Sequence, residues 1–389
     1  MSRELRVGIV GFGGAGLAQY SHFQALKECR VVAVYDPKQA GLDRARQLSN
    51  TLSLTDDFDK FLAHDLDVVA VCSPDKTHAD YMVRSLEAGR HVICEKPLTD
   101  SLDGCRRILQ AESQSPGCVA AVQHQMRFLP LYIRMKQLVG SGELGKISYV
   151  EGYYVHNLTR RAKLYDYWRF EDNATPLVYS GCHFVDLLRW LLDDEVVEVM
   201  GMANNLAFPE YPESDLNIIL LRFRSGVIGK VITAFGAGRP QDHSVRIYGS
   251  EKCIENNLLF GKDGGFSILA RPFVSQSLPI RHGLKAVVFG KLFEGLMKAY
   301  AKIGSYSLSY SIQSYPIRLY EHGFAVASSI SDFVGAIRTG ERPKCTVLDA
   351  AKTVATCLAG VEAYRTGKAV SVTDYWLSEF GGLQPMAHP

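Results

Sequence analysis

The chain has 389 residues, 47% hydrophobic and 22% charged, with a formal net charge of +2 at pH 7. Its length favours two domains and its composition a globular protein, while the small net charge argues against nucleic acid or an anionic membrane as partner. No apolar run reaches the roughly 18 residues of a spanning helix, and no signal-peptide pattern opens the sequence. The nine cysteines lack metal-ligand spacing. We therefore expect a cytoplasmic protein without a metal site.

A glycine-rich turn follows the first apolar run. Leu5 to Val10 is followed at once by Gly11-Phe12-Gly13-Gly14-Ala15-Gly16, and a helix is predicted from Leu17 to Lys27. In a G-x-G-x-x-G motif the first glycine allows a tight turn, the second lets the backbone approach a pyrophosphate, and the third lets helix and strand pack closely. The pattern predicts a dinucleotide site, and a purely structural turn is the alternative.

The next apolar strand, Val31 to Tyr35, ends at Asp36. An acid at this position hydrogen-bonds the adenosine ribose 2′-hydroxyl of NAD, and its charge repels the 2′-phosphate of NADP. Lys38 follows closely and weakens that preference. We therefore predict NAD as the cofactor, with NADP less favoured.

Strands and helices alternate up to residue 122. Further predicted elements are a helix from Asp56 to Ala63, a strand from Asp67 to Cys72, a turn from Ser73 to His78, a helix from Ala79 to Ala88, a strand from His91 to Cys94, a helix from Ser101 to Ser113 and a strand from Val119 to Val122. This rhythm predicts an α/β domain over residues 1–124, a Rossmann-type doubly wound parallel sheet.

Lys96 follows the strand from His91 to Cys94 and precedes Pro97. Because proline has no N–H for a strand ladder, the strand must end before it. Lys96 is then at the carboxyl end of a parallel strand, where such sheets bind their ligands. A surface lysine at the start of a loop is the alternative.

Residues 125–389 are predicted to form a substrate-binding and dimerisation domain of α+β type. Its predicted helices and strands are a helix from Leu131 to Leu138, strands Lys146 to His156, Val196 to Met202, Leu216 to Arg224, Val227 to Ala234, His243 to Tyr248 and Lys252 to Asn256, and helices Ala325 to Arg338 and Leu348 to Arg365. The turn residues between these strands predict a mostly antiparallel open sheet.

An amphipathic helix is predicted from about Ser180. His183 and Asp186 are three residues apart and share one face near the start of this helix. A helical histidine taken alone is usually structural. The polar and aromatic segment 157–173 that precedes the helix is predicted to be a loop, either over a sugar-like substrate or simply solvated.

The segments GFGGAG, VYD, SPDKTH, EAGRHVICEKPL and GCHFVDLLRWL together resemble the glucose–fructose oxidoreductase, inositol dehydrogenase and MocA (Gfo/Idh/MocA) family over essentially the whole chain. The resemblance implies hydride transfer between NAD(P) and a sugar, sugar acid or cyclitol. It also implies a homodimer or homotetramer formed through the open sheet face. Residues from about 270 to 320 are then an insertion. Its basic helical stretch, 284–303, is expected to pack on protein rather than on a membrane.

The resemblance also assigns roles to residues. It implies that Lys96 lies near the nicotinamide and handles the proton of the substrate hydroxyl, and that His183 is the second catalytic residue. Cofactor contacts are implied for Ser73, Pro74, His78, Glu95, Gln125, Trp168 and Arg169. Substrate contacts are expected from Lys96, Arg127, Tyr179, His183 and Asp186, with Asp186 able to orient the His183 ring.

Tyr179 departs from the family pattern, because family members often carry an aspartate four residues before the histidine. This departure keeps a second enzyme class open: an NAD-dependent hydrolase, lyase or isomerase that oxidises a sugar only transiently. A dinucleotide-binding regulator without turnover is a third class. The presence of both Lys96 and His183 argues against it.

Overall fold

The computed structural model describes residues 3–159, 175–239, 241–269 and 318–380. Trp168, Arg169, most of the predicted loop 157–173 and nearly all of the predicted insertion, including 284–303, lie outside the described residues. Two β-sheets, one of six strands and one of nine, organise the described chain.

The first sheet is parallel throughout and has the strand order β3-β2-β1-β4-β5-β6. Its strands are β1 (Leu5–Val10), β2 (Cys29–Tyr35), β3 (Ser53–Thr55), β4 (Val68–Val71), β5 (His91–Cys94) and β6 (Ala120–Val122). The strand order reverses between β1 and β4, which is where doubly wound sheets open a ligand crevice at their carboxyl ends. The predicted Rossmann-type sheet is confirmed.

Helices cover both faces of this sheet. They are α1 (Gly14–Ala25), α2 (Gln39–Leu48), α3 (Phe58–Leu62), α4 (His78–Glu87) and α5 (Leu102–Gln114). With both faces covered, β4, β6 and most of β1 and β5 are buried, which explains their nearly continuous apolar sequences.

The second sheet has the order β14-β13-β12-β11-β7-β10-β9-β8-β15 and is antiparallel except for the β7–β10 pair. Its strands are β7 (Ile147–Val155), β8 (Val196–Asn204), β9 (Leu216–Phe223), β10 (Ile228–Ala234), β11 (Asp242–Gly249), β12 (Lys252–Glu255), β13 (Leu258–Gly261), β14 (Phe266–Ile268) and β15 (Val370–Ser371). The prediction of a mostly antiparallel sheet is confirmed.

One face of this sheet packs against α6 (Pro130–Gly140) and α7 (Cys182–Leu192) around a shared apolar core. The opposite face carries Met200, Met202 and Leu220, and Met202 is 79% exposed. On the same face the Glu151 carboxylate lies 2.7 Å from Lys230 Nζ and 2.8 Å from Arg246 Nη1. Burial raises the pKa of Glu151, but the hydrogen bonds from Lys230, Tyr153 and Arg246 have the larger effect and lower this pKa to about 2.

The C-terminal helices return to the first sheet. They are α8 (Arg318–Thr339), α9 (Val347–Thr366) and α10 (Val372–Phe380). Ile330 and Phe333 of α8 belong to the same buried cluster as Val7 and Ile9 of β1. Helix α9 contributes to the cores of both sheets. The predicted domain boundary between residues 124 and 125 stays a prediction. The C-terminal helices pack against both sheets.

Within the described ranges, none of the helices combines the length and the apolar character that a membrane crossing requires.

Candidate active site

The glycine turn between β1 and α1 fits a pyrophosphate. Gly11 has a φ of +83°, and a Cβ on Gly16 would lie 2.1 Å from the Gly11 carbonyl oxygen. A Cβ on Gly13 or Gly14 would meet no atom within 4 Å, so this side of the turn is open. Gly13 precedes the helix without a side-chain cap, and the first turn, which includes half-buried Ala15, contains no acid. The positive end of α1 therefore faces an open anion site.

Asp36 closes the adenosine side of the turn. Its Oδ2 accepts a 2.7 Å hydrogen bond from the Phe12 N–H, and its Oδ1 accepts one of 2.8 Å from the Lys38 N–H. The Phe12 ring is buried, so Phe12 offers backbone groups to this site. A carboxylate has about four lone-pair positions, so Asp36 can still accept from a ribose hydroxyl. The residues present therefore fit NAD, as predicted.

We expect Asp36→Ala to reduce the preference for NAD over NADP by about tenfold or more, because the substitution removes the charge that repels a 2′-phosphate. Titrations of both cofactors followed by intrinsic fluorescence measure the ratio. Asp43→Ala removes an exposed carboxylate from α2 and serves as the control. Equal affinity of the unmodified protein for NAD and NADP would contradict the role of Asp36.

The turns after β4 and β5 are tied together through His78. Its Nδ1 lies 2.8 Å from the Pro97 carbonyl oxygen, and its Nε2 lies 2.8 Å from that of Ser73. The ring is buried, so it braces the turns that contain Ser73, Pro74 and Lys96. The predicted cofactor contact of His78 stays a prediction.

Lys96 reaches from the end of β5 to the second sheet domain. Its Nζ donates a 2.8 Å hydrogen bond to the Tyr179 carbonyl oxygen. Tyr179 lies in a single turn of π-helix, Leu177–Gly181, that leads directly into α7. Such turns are frequent at functional sites. The bond brings the two predicted catalytic residues, Lys96 and His183, to the start of the same helix.

The His183 ring lies on the Tyr154 ring. The ring centroids are 5.7 Å apart, the planes differ by 4°, and His183 is 7% exposed. Tyr154 is on β7 directly below the start of α7, so the sheet supports the imidazole from one side. The structure therefore fixes His183 by packing, as a positioned acid–base group requires.

The Tyr179 phenol packs away from Lys96. The side chain is buried in a cluster with Leu158, Phe208, Tyr211 and Phe235. Its hydroxyl is 3.5 Å from the Tyr211 hydroxyl, a weak hydrogen bond. Lys96 is therefore bound by the main chain of residue 179 rather than by its side chain.

Arg127 and Asp186 form a buried ion pair. Arg127 Nε and Nη2 donate to Asp186 Oδ2 and Oδ1 at 2.8 and 2.6 Å, and the two residues are 5% and 1% exposed. Burial raises the pKa of Asp186, but the charge of Arg127 outweighs it and holds this pKa below its usual range. Arg127 Nη1 also donates to the Lys344 carbonyl oxygen at 2.8 Å. The pair thus ties α7 to the 3₁₀ turn Gln125–Phe128 and to the segment before α9. Substrate contact by these two residues stays a prediction.

Arg127→Met is expected to lower the free energy of unfolding by about 3–5 kcal/mol, because it leaves a buried carboxylate without its partner. Arg134→Met, an exposed arginine on neighbouring α6, should change it by less than about 0.5 kcal/mol. Urea denaturation at pH 7 measures both. In the unmodified protein the lowered pKa of Asp186 stabilises the fold above the ordinary aspartate range, and this contribution is lost as pH falls through the folded pKa. Equal stability of the two variants would show that the pair contributes little.

Three buried polar residues near the site were not predicted: Gln19, Gln123 and His124. Gln19 Nε2 donates to Glu95 Oε1 at 3.2 Å and to Gln123 Oε1, and so supports the half-buried Glu95. Burial lowers the pKa of His124 to about 4, so its imidazole is neutral at pH 7. The polar run after β6, which continues into half-buried Gln125, was the signal that could have identified two of these residues.

His124, Asp186 and Cys345 place three potential metal ligands within 4.8 Å of one another. Both Asp186 oxygens already accept from Arg127, whose charge opposes a cation. Burial raises the pKa of the Cys345 thiol, which keeps the thiol protonated. We therefore assign this cluster to the ion pair.

A parallel Rossmann-type sheet with an open glycine turn, joined to an antiparallel sheet domain by a lysine at the end of β5, defines a dinucleotide-dependent oxidoreductase. Residues 5–124 match the oxidoreductase family with an NAD-binding Rossmann fold, and residues 132–255 match the C-terminal domain of the same family. The chain belongs to the Gfo/Idh/MocA family and is an NAD-binding oxidoreductase of that family.

Its relatives include proteins named as inositol dehydrogenases. The inositol 2-dehydrogenase of Rubrobacter xylanophilus is 28% identical over 258 residues, which cover 65% of this chain and 72% of that protein. The scyllo-inositol 2-dehydrogenase (NAD(+)) of Bacillus subtilis is 23% identical over 383 residues, 96% of this chain and 97% of that protein. The structure of scyllo-inositol dehydrogenase from Lactobacillus casei with bound NAD(H) and scyllo-inositol has a TM-score of 0.73 and 20% identity, and covers 95% of this chain and 100% of that chain.

Proposed function

We propose that this protein transfers hydride between NAD and a hydroxyl- or carbonyl-bearing carbon of a sugar, sugar acid or cyclitol. The observation that carries the proposal is the 2.8 Å bond from Lys96 Nζ to the Tyr179 carbonyl oxygen. This bond brings an ammonium group from the NAD-binding domain to the helix that carries His183. The cyclitol dehydrogenases among its relatives support the substrate class.

NAD supplies hydride chemistry at nicotinamide C4 when it is bound. The glycine turn would hold the pyrophosphate, Asp36 would hold the ribose, and Glu95 and the Ser73–Pro74 turn would flank the nicotinamide side. Lys96 has three N–H groups when charged, and one of them is directed at Tyr179. The others remain for the substrate oxygen. For oxidation of a hydroxyl, Lys96 must be the neutral amine, whose lone pair accepts the hydroxyl proton; the ammonium that results returns a proton to the carbonyl oxygen in the reverse direction.

His183 is the second acid–base group of the proposal. Its ring packs on the ring of Tyr154. In the sequence, His183 lies three residues before Asp186. The buried Arg127–Asp186 pair holds the helix that carries this ring, so the two residues act on catalysis through position. Direct orientation of the His183 ring by Asp186 stays a prediction.

Transient oxidation is the second candidate function. The residue at position 179 presents a main-chain carbonyl to Lys96 and places a neutral phenol in an aromatic cluster. Without the aspartate that family members often carry there, the same first hydride transfer also serves a hydrolase, lyase or isomerase that later returns the hydride.

Incubation of the purified protein with NAD and a panel of cyclitols, aldoses and uronates tests the proposed function. NADH absorbance should rise with at least one polyol, at a rate proportional to the enzyme concentration. Conversion of a substrate into product without net formation of NADH would favour transient oxidation. A panel without any conversion would contradict both functions.

We propose that a second copy of the chain covers the open sheet face. Met200, Met202 and Leu220 offer apolar area there, around the charged network of Glu151. We expect Met202→Glu to lower the oligomeric state measured by light scattering, because it places a charge in the apolar contact. Leu48→Glu, an exposed apolar residue on α2, should leave the oligomeric state unchanged. A monomeric unmodified protein would contradict the proposal.

A further inference from the structure

Arg44 of α2 reaches the glycine turn between β1 and α1. Its Nη1 donates a 2.5 Å hydrogen bond to the Phe12 carbonyl oxygen. This carbonyl belongs to the peptide that joins Phe12 to Gly13, and a Cβ on Gly13 would meet no atom within 4 Å. The guanidinium group therefore lies at the rim of the open side of the turn. The sequence pattern did not single out this arginine.

The helix that carries Arg44 also packs against Asp36. Gly41 precedes Arg44 by three residues, so the two residues share one face of α2. A Cβ on Gly41 would lie 2.1 Å from Asp36 Oδ2, so the helix backbone is in close contact with this carboxylate. The same oxygen accepts the 2.7 Å hydrogen bond from the Phe12 N–H. Asp36 and Arg44 thus bind the N–H and the carbonyl oxygen of one residue of the turn.

Most of the hydrogen-bonding capacity of Arg44 is unused. A guanidinium group has five N–H donors. One of them donates to Phe12, and among the described residues no second acceptor lies within hydrogen-bonding distance of this side chain. Arg44 is exposed. Its remaining donors are therefore available to a ligand at the rim of the turn.

The charges around Asp36 are mostly positive. Asp43, the only acid of α2, accepts hydrogen bonds of 2.8 Å from Gln39 Nε2 and 2.6 Å from Arg46 Nη1, so it is bound elsewhere. Lys38 is exposed, and its N–H donates to Asp36 Oδ1 at 2.8 Å. The surroundings of this site therefore combine the carboxylate of Asp36 with the cations of Lys38 and Arg44.

This combination suits a phosphate next to the ribose. Arginine can bind two oxygens of one phosphate through parallel N–H bonds. In NADP the 2′-phosphate replaces the ribose 2′-hydroxyl that an acid such as Asp36 binds in NAD. Asp36 repels that phosphate, whereas Arg44 attracts it. The contact of Gly41 with Asp36 Oδ2 directs the Arg44 face of α2 to the ribose rather than to the pyrophosphate.

We propose that Arg44 binds the 2′-phosphate of NADP and that the protein therefore accepts NADP as a second, weaker cofactor. NAD stays preferred because Asp36 is retained. This inference goes beyond the proposed function, since it concerns the adenosine end of the cofactor and holds for any substrate.

Fluorescence titrations of the full chain with NAD and with NADP test the inference without any substrate. The two cofactors differ only in the 2′-phosphate. NADP should bind the unmodified protein measurably, but more weakly than NAD. Arg44→Ala should raise the Kd for NADP about tenfold or more and that for NAD less than about threefold, because the lost charged hydrogen bond is made only to the 2′-phosphate. Arg46→Ala, which removes another arginine of α2, is the control and should change neither Kd.

A double-variant cycle separates the effects of Arg44 and Asp36. Asp36→Ala should lower the Kd for NADP, because it removes the charge that repels the phosphate. Addition of Arg44→Ala to this variant should raise the Kd for NADP again by about tenfold or more, with little change for NAD. Circular dichroism checks that each variant is folded, and Arg44→Gln replaces Arg44→Ala if the alanine variant is not.

Equal changes of the Kd for NAD and for NADP in Arg44→Ala would overturn the inference, because Arg44 would then contact a part that both cofactors share. An unchanged Kd for NADP in that variant would overturn it as well. The same holds if NADP does not bind the unmodified protein detectably. Each of these results leaves the proposed hydride transfer with NAD standing.

Discussion

Lys96→Met is expected to lower kcat by about 10²–10⁴-fold, the range for a positioned acid–base group, with the Kd for NAD changed by less than about threefold. Methionine retains the length and the apolar stem of lysine but has no ammonium group. It cannot donate to the Tyr179 carbonyl oxygen or exchange a proton with a substrate hydroxyl. The glycine turn and Asp36 are unchanged, so the cofactor still binds. Steady-state kinetics and a fluorescence titration measure the two effects.

Lys60→Met is the matched control for this substitution. Lys60 is an exposed lysine of α3 whose ion pair with Asp57 lies on the surface. The control variant should retain its full kcat. If Lys96→Met also retains full turnover, Lys96 is only a lysine at a strand end and the proposed mechanism is wrong.

The second large effect is expected at His183, in comparison with Tyr179. His183→Ala should lower kcat by about 10²-fold or more, because the positioned imidazole is lost. Tyr179→Phe should cost less than tenfold, mainly through KM, because its phenol lies in the aromatic cluster and its main-chain carbonyl still accepts from Lys96. The kcat and KM of both variants, with the substrate found in the panel, decide the assignment.

The reverse order of effects has a clear meaning. If Tyr179→Phe loses turnover while His183→Ala retains it, the phenol of Tyr179 is the catalytic acid. The buried position of that phenol would then have to change when substrate binds.

Five of the six strands of the first sheet could be predicted from the sequence, because they are mainly apolar and are bounded by residues that end strands. The observed bounds of β1 and β5 coincide with the predicted Leu5 to Val10 and His91 to Cys94. Gly11 follows one strand, and Pro97 lies shortly after the other. In both places the limit is set by backbone chemistry rather than by distant packing.

Helices and strands that bury little apolar surface were not predicted from the sequence. Helix α2 buries only Gly41, Leu42 and Ala45, and β3 is three residues long. Strands β13 and β14 are four and three residues long. Such short elements gain their stability from neighbours that are distant in sequence, so local periodicity did not identify them.

The candidate site was predictable in part. The distinctive segments around Lys96 and His183 identified the two residues, and the structure brings their segments together. The pairing of Arg127 with Asp186 was not predictable, because the two residues are far apart in the chain and meet only after folding.

Transfer of deuterium tests the central claim most directly. The substrate identified in the panel is prepared with deuterium on the carbon that bears the oxidised hydroxyl, and is converted with excess NAD. We expect one NADH per product molecule, with the deuterium at C4 of its nicotinamide ring by NMR. Accumulation of product without net NADH, with deuterium still in the product, would contradict a dehydrogenase and favour transient oxidation.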